Sequence, residues 1–338
     1  MNSSPEPDRR RTAILSAIVV VFVLLSIEAT AQALYWFRDA LPKETETFQV
    51  RTFTRRVADA RHVTTVPNFT SPANDAWSIS TDAYGFRGGA PATRPDCPSV
   101  LFIGDSVPFG YGVSDGGSIS SRLFERLRKA NDPRCVINAA LPSYSLFQAV
   151  ARFEHEIQGR FRIDALYLQF IDPAIQFARL GSEWRPDRDW TTEQTAVKQK
   201  SVTIASISLL RDALRHFGWL RKIDQPALEN YRREIRRELE HLHDLAVQAG
   251  VKRLVVAPIT IPSSSFQRYP EEFRDVIEAT NDELSRLSAG HQDTVFLDTI
   301  GLMRRYPENE MFVDKCCHLS ERGNDLVAEQ LMKILVRN

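Results

Sequence analysis

Residues Ser99 to Val113 read SVLFIGDSVPFGYGV. A short apolar run containing Val100 and Ile103 stops at Gly104, and Asp105-Ser106 then leads into a stretch punctuated by Gly110 and Gly112. An apolar run of this length bounded by turn residues reads as a strand buried on both faces. Working outward, further apolar runs at Val136 to Asn138, Ala165 to Phe170, Lys252 to Ala257 and Thr294 to Asp298 read as strands. Between them lie amphipathic stretches, at Ser118 to Asn131, Phe147 to Gln158, Pro226 to Gly250 and Pro270 to Leu287, and a last one follows from Glu321 to Leu335. Strand alternating with helix at this spacing predicts an α/β sandwich of three layers, built on a five-stranded and mostly parallel sheet. Ligands of such sheets bind at the carboxyl ends of the strands, where Ser106 falls. A long segment, residues 177–223, interrupts the alternation; it is either a lid over the site or a packing elaboration.

The first forty residues differ in kind. Arg9, Arg10 and Arg11 precede a run from Thr12 that carries no charge until Glu28, and Tyr35-Trp36-Phe37 closes the segment. Residues 12–37 read as a transmembrane anchor with an interfacial aromatic belt, leaving residues 1–11 cytoplasmic. The alternative is a signal peptide cleaved near Ala29-Thr30-Ala31. Both readings place the remainder outside the inner membrane, in the periplasm or beyond. Residues 38–96 then form a stalk and a short β prelude, and residues 97–338 the main domain.

Lys+Arg and Asp+Glu are both 43 in 338 residues, so no global field recruits nucleic acid. In an oxidising compartment the cysteines can pair. Cys97 and Cys135 each directly precede a strand, which places them at one end of the sheet and makes a bridge between them as plausible as two buried thiols. Nothing in the sequence pairs Cys316 and Cys317, and no spacing suggests a metal. His241 and His243, two apart on a helix, do not share a face.

A serine hydroxyl at a strand's carboxyl end needs a base, and Asp314-Lys315-Cys316-Cys317-His318 offers one before the final helix. With these residues in view, the chain resembles the SGNH/GDSL hydrolases. Gly104-Asp105-Ser106 with Gly110 is similar to their nucleophile block, and Asp314, His318-Leu319-Ser320 and Gly323-Asn324 are similar to their last block. Thr81-Asp82-Ala83-Tyr84-Gly85-Phe86-Arg87 resembles a prelude found in membrane-anchored bacterial members. The resemblance implies a flavodoxin-like fold and no cofactor. It implies Ser106 as nucleophile, His318 as base and Asp314 as its orienting carboxylate, with the amides of Ser106 and Ser143 as the oxyanion hole.

Three positions depart from the family pattern. Lys315 stands where the aspartate usually does, so Asp314 must reach His318 across one extra residue. Ser143 replaces a glycine. Pro173 stands where an asparagine donates to the oxyanion, and Asp172 beside it is acceptor-only when ionised. Three functions stay open: an esterase or deacetylase acting on an acylated small molecule or glycan, an O-acyltransferase on a cell-surface glycan, and a non-catalytic binding or assembly protein.

Overall fold

The computed structural model describes residues 19–30, 32, 53–61, 63–72, 77–88, 93–170, 225–258, 260–269 and 271–336. The insertion at 177–223, the third-block positions Asp172 and Pro173, the stalk up to residue 52 and most of 12–37 lie outside these. Residues 19–30 are helical with exposed apolar side chains, Phe22 and Leu25 among them. Among the described residues no helix is long and apolar enough to cross a membrane.

Two short strands, β1 (Thr54–Arg56) and β2 (Val63–Thr65), pair antiparallel ahead of the main sheet. The α/β part then runs β3 (Ser99–Gly104), α1 (Ser106–Phe109), α2 (Ile119–Lys129), β4 (Cys135–Asn138), α3 (Leu146–Arg152) and β5 (Ile163–Gln169). It continues through α4 (Gln225–Gln248), β6 (Arg253–Val256), α5 (Glu271–Gly290), β7 (Thr294–Phe296) and α6 (Glu321–Val336). The five strands lie in the order β4-β3-β5-β6-β7, every neighbouring pair parallel. Parallel neighbours require crossover helices, and these form an α2–α6 layer and an α3–α4–α5 layer. Val100, Leu101, Phe102 and Ile103 are at most 1% exposed, so β3 is covered on both faces. The chain leaves β3 toward β4 on one side and leaves the neighbouring β5 toward β6 on the other, and the crevice that this reversal opens between β3 and β5 is where doubly wound sheets place ligands.

Local signals set the helix starts. Ser118 caps α2 by accepting from the Ser121 amide, and Ser145 and Gln148 form a capping box at α3. The α3 helix ends in a wide turn at Phe153–Ile157, which carries Glu156. Register pairs Ser99 with Cys135, and the disulfide between Cys97 and Cys135 closes this end of the sheet with Cα atoms 6.0 Å apart. Cys316 and Cys317 are joined to each other in the loop before α6.

The described part of the prelude, 53–88, is packed onto the sheet domain. Phe53 stacks on Phe109 at 5.4 Å and shares a buried cluster with Ile79, Leu141 and Tyr144. The Arg87 amide donates to the Asn138 carbonyl at 2.9 Å, carrying the prelude onto the edge of β4. A buried charge network makes the second seam. Arg152 donates through Nε to Glu156 at 2.9 Å and through Nη2 to Thr65 Oγ1 at 2.8 Å, while Glu156 also accepts from Thr64 at 2.5 Å and from Arg61.

Burial pushes the Glu156 carboxyl up, but Arg152, Thr64 and Arg61 together pull it below the usual value. A carboxyl depressed in the folded state contributes stability that is present above its unfolded pKa of about 4.3 and lost as pH falls through the folded pKa. Glu156→Gln should therefore lower the denaturant midpoint at neutral pH, by about 2 kcal/mol in stability. The difference from wild type should shrink as pH drops below about 4. A gap that stays constant down to acid pH would show that the Glu156 charge is not what stabilises the seam.

Candidate active site

The strand β3 ends in a backbone that only glycine adopts easily. Gly104 has φ +129°, and a Cβ there would lie 1.8 Å from the Gln169 carbonyl oxygen of β5. Asp105, fully buried, caps the next turn by accepting from the Val107 amide at 3.0 Å. The single turn α1 starts at Ser106 and stops at Gly110, whose φ is +85°. The serine side chain is thus carried to the mouth of the crevice on a turn fixed at both ends, and Ser106 is half-buried.

Arg87 fixes the far end of that turn. Its guanidinium, with no exposed side-chain surface, donates to the carbonyls of Phe109, Gly110 (2.6 Å) and Val113 (2.6 Å) and pairs with Asp115 at 3.2 Å. Burial lowers its pKa to about 10, while Asp115 acts against the shift, so it stays charged at neutral pH. Asn138 completes the clamp, donating through Nδ2 to the Pro108 carbonyl at 3.0 Å and to Ser120 at 2.9 Å. The prelude motif was legible in the sequence. That its arginine holds the loop after Ser106 was not, because nothing local links Arg87 to Gly110.

His318 comes from the loop before α6. Phe312 and Leu319 bridge its ends, and the Val313 amide donates to the His318 carbonyl at 3.0 Å. Asp314 uses its oxygens separately. Oδ1 accepts from the amides of Cys316 (2.9 Å), Cys317 (3.1 Å) and His318 (3.3 Å), and Oδ2 lies 2.5 Å from His318 Nδ1. On the ring's other side, His318 Nε2 is 2.9 Å from Ser106 Oγ. The extra residue at Lys315 is absorbed because one oxygen folds the loop and the other meets the imidazole. Burial raises the Asp314 pKa, but the hydrogen bond and charge of His318, with the loop amides, hold it below the usual value. The carboxylate therefore stays ionised through mildly acidic pH.

Side chains that the sequence did not single out wall the site. Tyr111 lies against the His318 ring at 4.6 Å between centroids, and Trp77 meets Tyr111 edge-on at 4.9 Å. Asn324 anchors α6, donating to the Gly117 carbonyl at 3.0 Å. Ser263, Ser264 and Ser265 form a short helix in which Ser264 bonds Glu308 at 2.5 Å, a structural role.

Ser143 sits at φ +69°, the left-handed conformation that glycine favours, so the serine is held at some cost in strain. The Leu141 amide donates to the Gly104 carbonyl at 3.1 Å, which ties this loop to the turn that bears Ser106. Among the described residues, neither the Ser106 amide nor the Ser143 amide is paired with another acceptor.

No family model and no curated protein matches the sequence. Solved structures are similar to it in fold alone. An acetyl xylan esterase, AlAXEase, aligns with TM-score 0.47 and 13% identity over 70% of this chain and 100% of its own. A member of the lipolytic G-D-S-L family from Veillonella parvula aligns with TM-score 0.46 and 14% identity over 72% and 100%. The esterase EstA from a Pseudoalteromonas species aligns with TM-score 0.46 and 10% identity over 71% and 99%.

Proposed function

We propose that the chain is a membrane-anchored serine esterase or deacetylase that cleaves acyl esters through an acyl-Ser106 intermediate. The observation that carries the reading is the relay from Asp314 Oδ2 to His318 Nδ1 and from His318 Nε2 to Ser106 Oγ, at 2.5 and 2.9 Å. These are the contacts a nucleophile, a base and the group orienting the base require. In the first half-reaction Ser106 Oγ attacks the acyl carbonyl while His318 Nε2 takes its proton. The carbonyl oxygen becomes an oxyanion facing the amides of Ser106 and Ser143. Collapse breaks the ester C–O bond, and the leaving alkoxide takes the proton from His318. Water repeats the sequence on the acyl-serine and releases the carboxylic acid. Throughout, Asp314 holds the Nδ1 proton and stabilises the imidazolium.

The anchor is part of the proposal. The uncharged run of 12–27 after Arg9 to Arg11, and the helical residues 19–27 with their exposed apolar side chains, support a single span with residues 1–11 cytoplasmic. Protease added to intact spheroplasts should digest the domain after Asp39; protection until lysis would contradict this topology.

Turnover separates the chemical outcomes. The full chain in detergent should hydrolyse a short-chain aryl ester with no acceptor other than water. Turnover that needs an added sugar hydroxyl would instead assign an acyltransferase, and neither turnover nor reaction with a serine-directed phosphonate would assign a non-catalytic binding protein.

A further inference from the structure

At the opposite end of the sheet from Ser106, near the amino ends of β6 and β7, the fold gathers two histidines and a carboxylate that the ester chemistry does not use. His243 comes from the last turns of α4, His291 directly follows α5, and Asp293 precedes β7. One donor atom from each of the three lies within 4.8 Å of the others. The imidazoles stack at 3.7 Å between centroids, with 28° between their planes. His243 Nε2 is 3.0 Å and 3.2 Å from the two oxygens of Asp293.

We propose that His243, His291 and Asp293 bind a divalent transition-metal ion of the zinc type, with the fourth position open to water. Imidazole nitrogens and a carboxylate are the ligand set such ions take, at about 2.0–2.2 Å. Donors around a tetrahedral ion at that bond length stand roughly 3.4 Å apart, so the cluster needs to contract by roughly 1–1.5 Å at most. The groups that must move can do so. The His291 and Asp293 side chains are 28% and 35% exposed, whereas His243 is held at 9%. Their backbone is already fixed, because the Leu254 amide donates to the Asp293 carbonyl at 3.0 Å and the Thr294 amide to the His291 carbonyl at 3.1 Å.

The outer groups also fit. Metal-bound histidines usually give their second ring nitrogen to a carboxylate. Glu240 occupies one nitrogen of His291 at 2.8 Å, leaving the other for an ion. His243 Nδ1 is buried without a hydrogen-bond partner, and the exposed Asp244 carboxylate stands 3.9 Å from it, within reach of a small rotation. An ion bound at Nε2 would place a proton on Nδ1 and give this orphaned atom a donor's role toward Asp244. The sequence alone suggests no metal, and it gives His241 and His243 different faces: His241 turns to Glu154 at 3.1 Å. The partners of His243 lie about fifty positions downstream and become visible only in the fold. Bound there, an ion would tie α4 to the α5–β7 turn and leave Ser106 untouched.

The test uses the full-length, chelator-treated chain without an affinity tag, titrated calorimetrically with zinc chloride, and separately with Co2+ followed by visible absorption. One equivalent should bind. His291→Gln and Asp293→Asn, both at partly exposed positions and so compatible with folding, should each weaken binding by about tenfold or more. His241→Ala should leave it unchanged. Absence of saturable binding, or binding unaltered in the His291 and Asp293 variants, would overturn the assignment.

Discussion

Ser106→Ala and His318→Ala should each abolish ester turnover to within a small residue, on the order of a thousandfold loss or more, and the double variant should be little worse than either. Non-additivity follows from the geometry. The Ser106 hydroxyl and His318 Nε2 share one proton across 2.9 Å, so removing either ends the same step. Asp314→Asn should cost less than either, because the carboxylate sets the tautomer of His318 and stabilises its charged form without attacking. The amide side chain of that variant would keep an oxygen for the backbone N–H groups of Cys316 and Cys317, yet lose the charge that Asp314 Oδ2 presents to Nδ1. The loop should therefore keep its shape while the rate falls. Steady-state kinetics on the three single variants and the double variant check this. Additive losses would show that serine and histidine do not act as a unit.

Arg87→Met should destabilise the protein by about 3–5 kcal/mol, as breaking a buried charge pair from one side does. The loss has two sources. The carbonyls of Phe109, Gly110 and Val113 lose their donor, and Asp115 loses its partner while still accepting from the Ser80 amide and hydroxyl at 2.8 and 2.6 Å. Arg87→Lys should rescue only part, since an ammonium cannot replace a fork that serves three carbonyls and a carboxylate together. Denaturant unfolding of the three proteins gives the stability ranking. In the lysine variant kcat should fall more than KM rises, because the turn bearing Ser106 loses its far anchor. A methionine variant within about 0.5 kcal/mol of wild type would remove Arg87 from this role.

How much of this could be read beforehand depended on the range of each interaction. The strand ending at Gly104 was legible because an apolar run and a glycine turn are local, and the five strands lie within a few residues of where the sequence places them. Asp314 was legible as a residue type near His318, but the spacing alone did not show how it reaches the ring. The answer lies in a loop whose amides fold onto Oδ1, a feature no periodicity announces. Arg87 with Gly110, Trp77 with Tyr111 and His318, and His243 with Asp293 are contacts made by the tertiary fold. Sequence shows such residues singly and is silent on their meeting. Ser143 marks a further limit: a serine at φ +69° is a strained exception to a glycine rule, and a rule cannot foresee its exceptions. The third-block positions Asp172 and Pro173 fall outside the described residues.

The central claim is that Ser106 is a nucleophile activated by His318. Its most direct test is intact-mass and peptide mapping of the full chain after brief exposure to a serine-reactive phosphonate. The expected result is one adduct per chain, on Ser106, formed quickly in the wild type, slowed by about a hundredfold or more in His318→Ala, and absent in Ser106→Ala. An adduct on another residue, or equal labelling with and without His318, would contradict it.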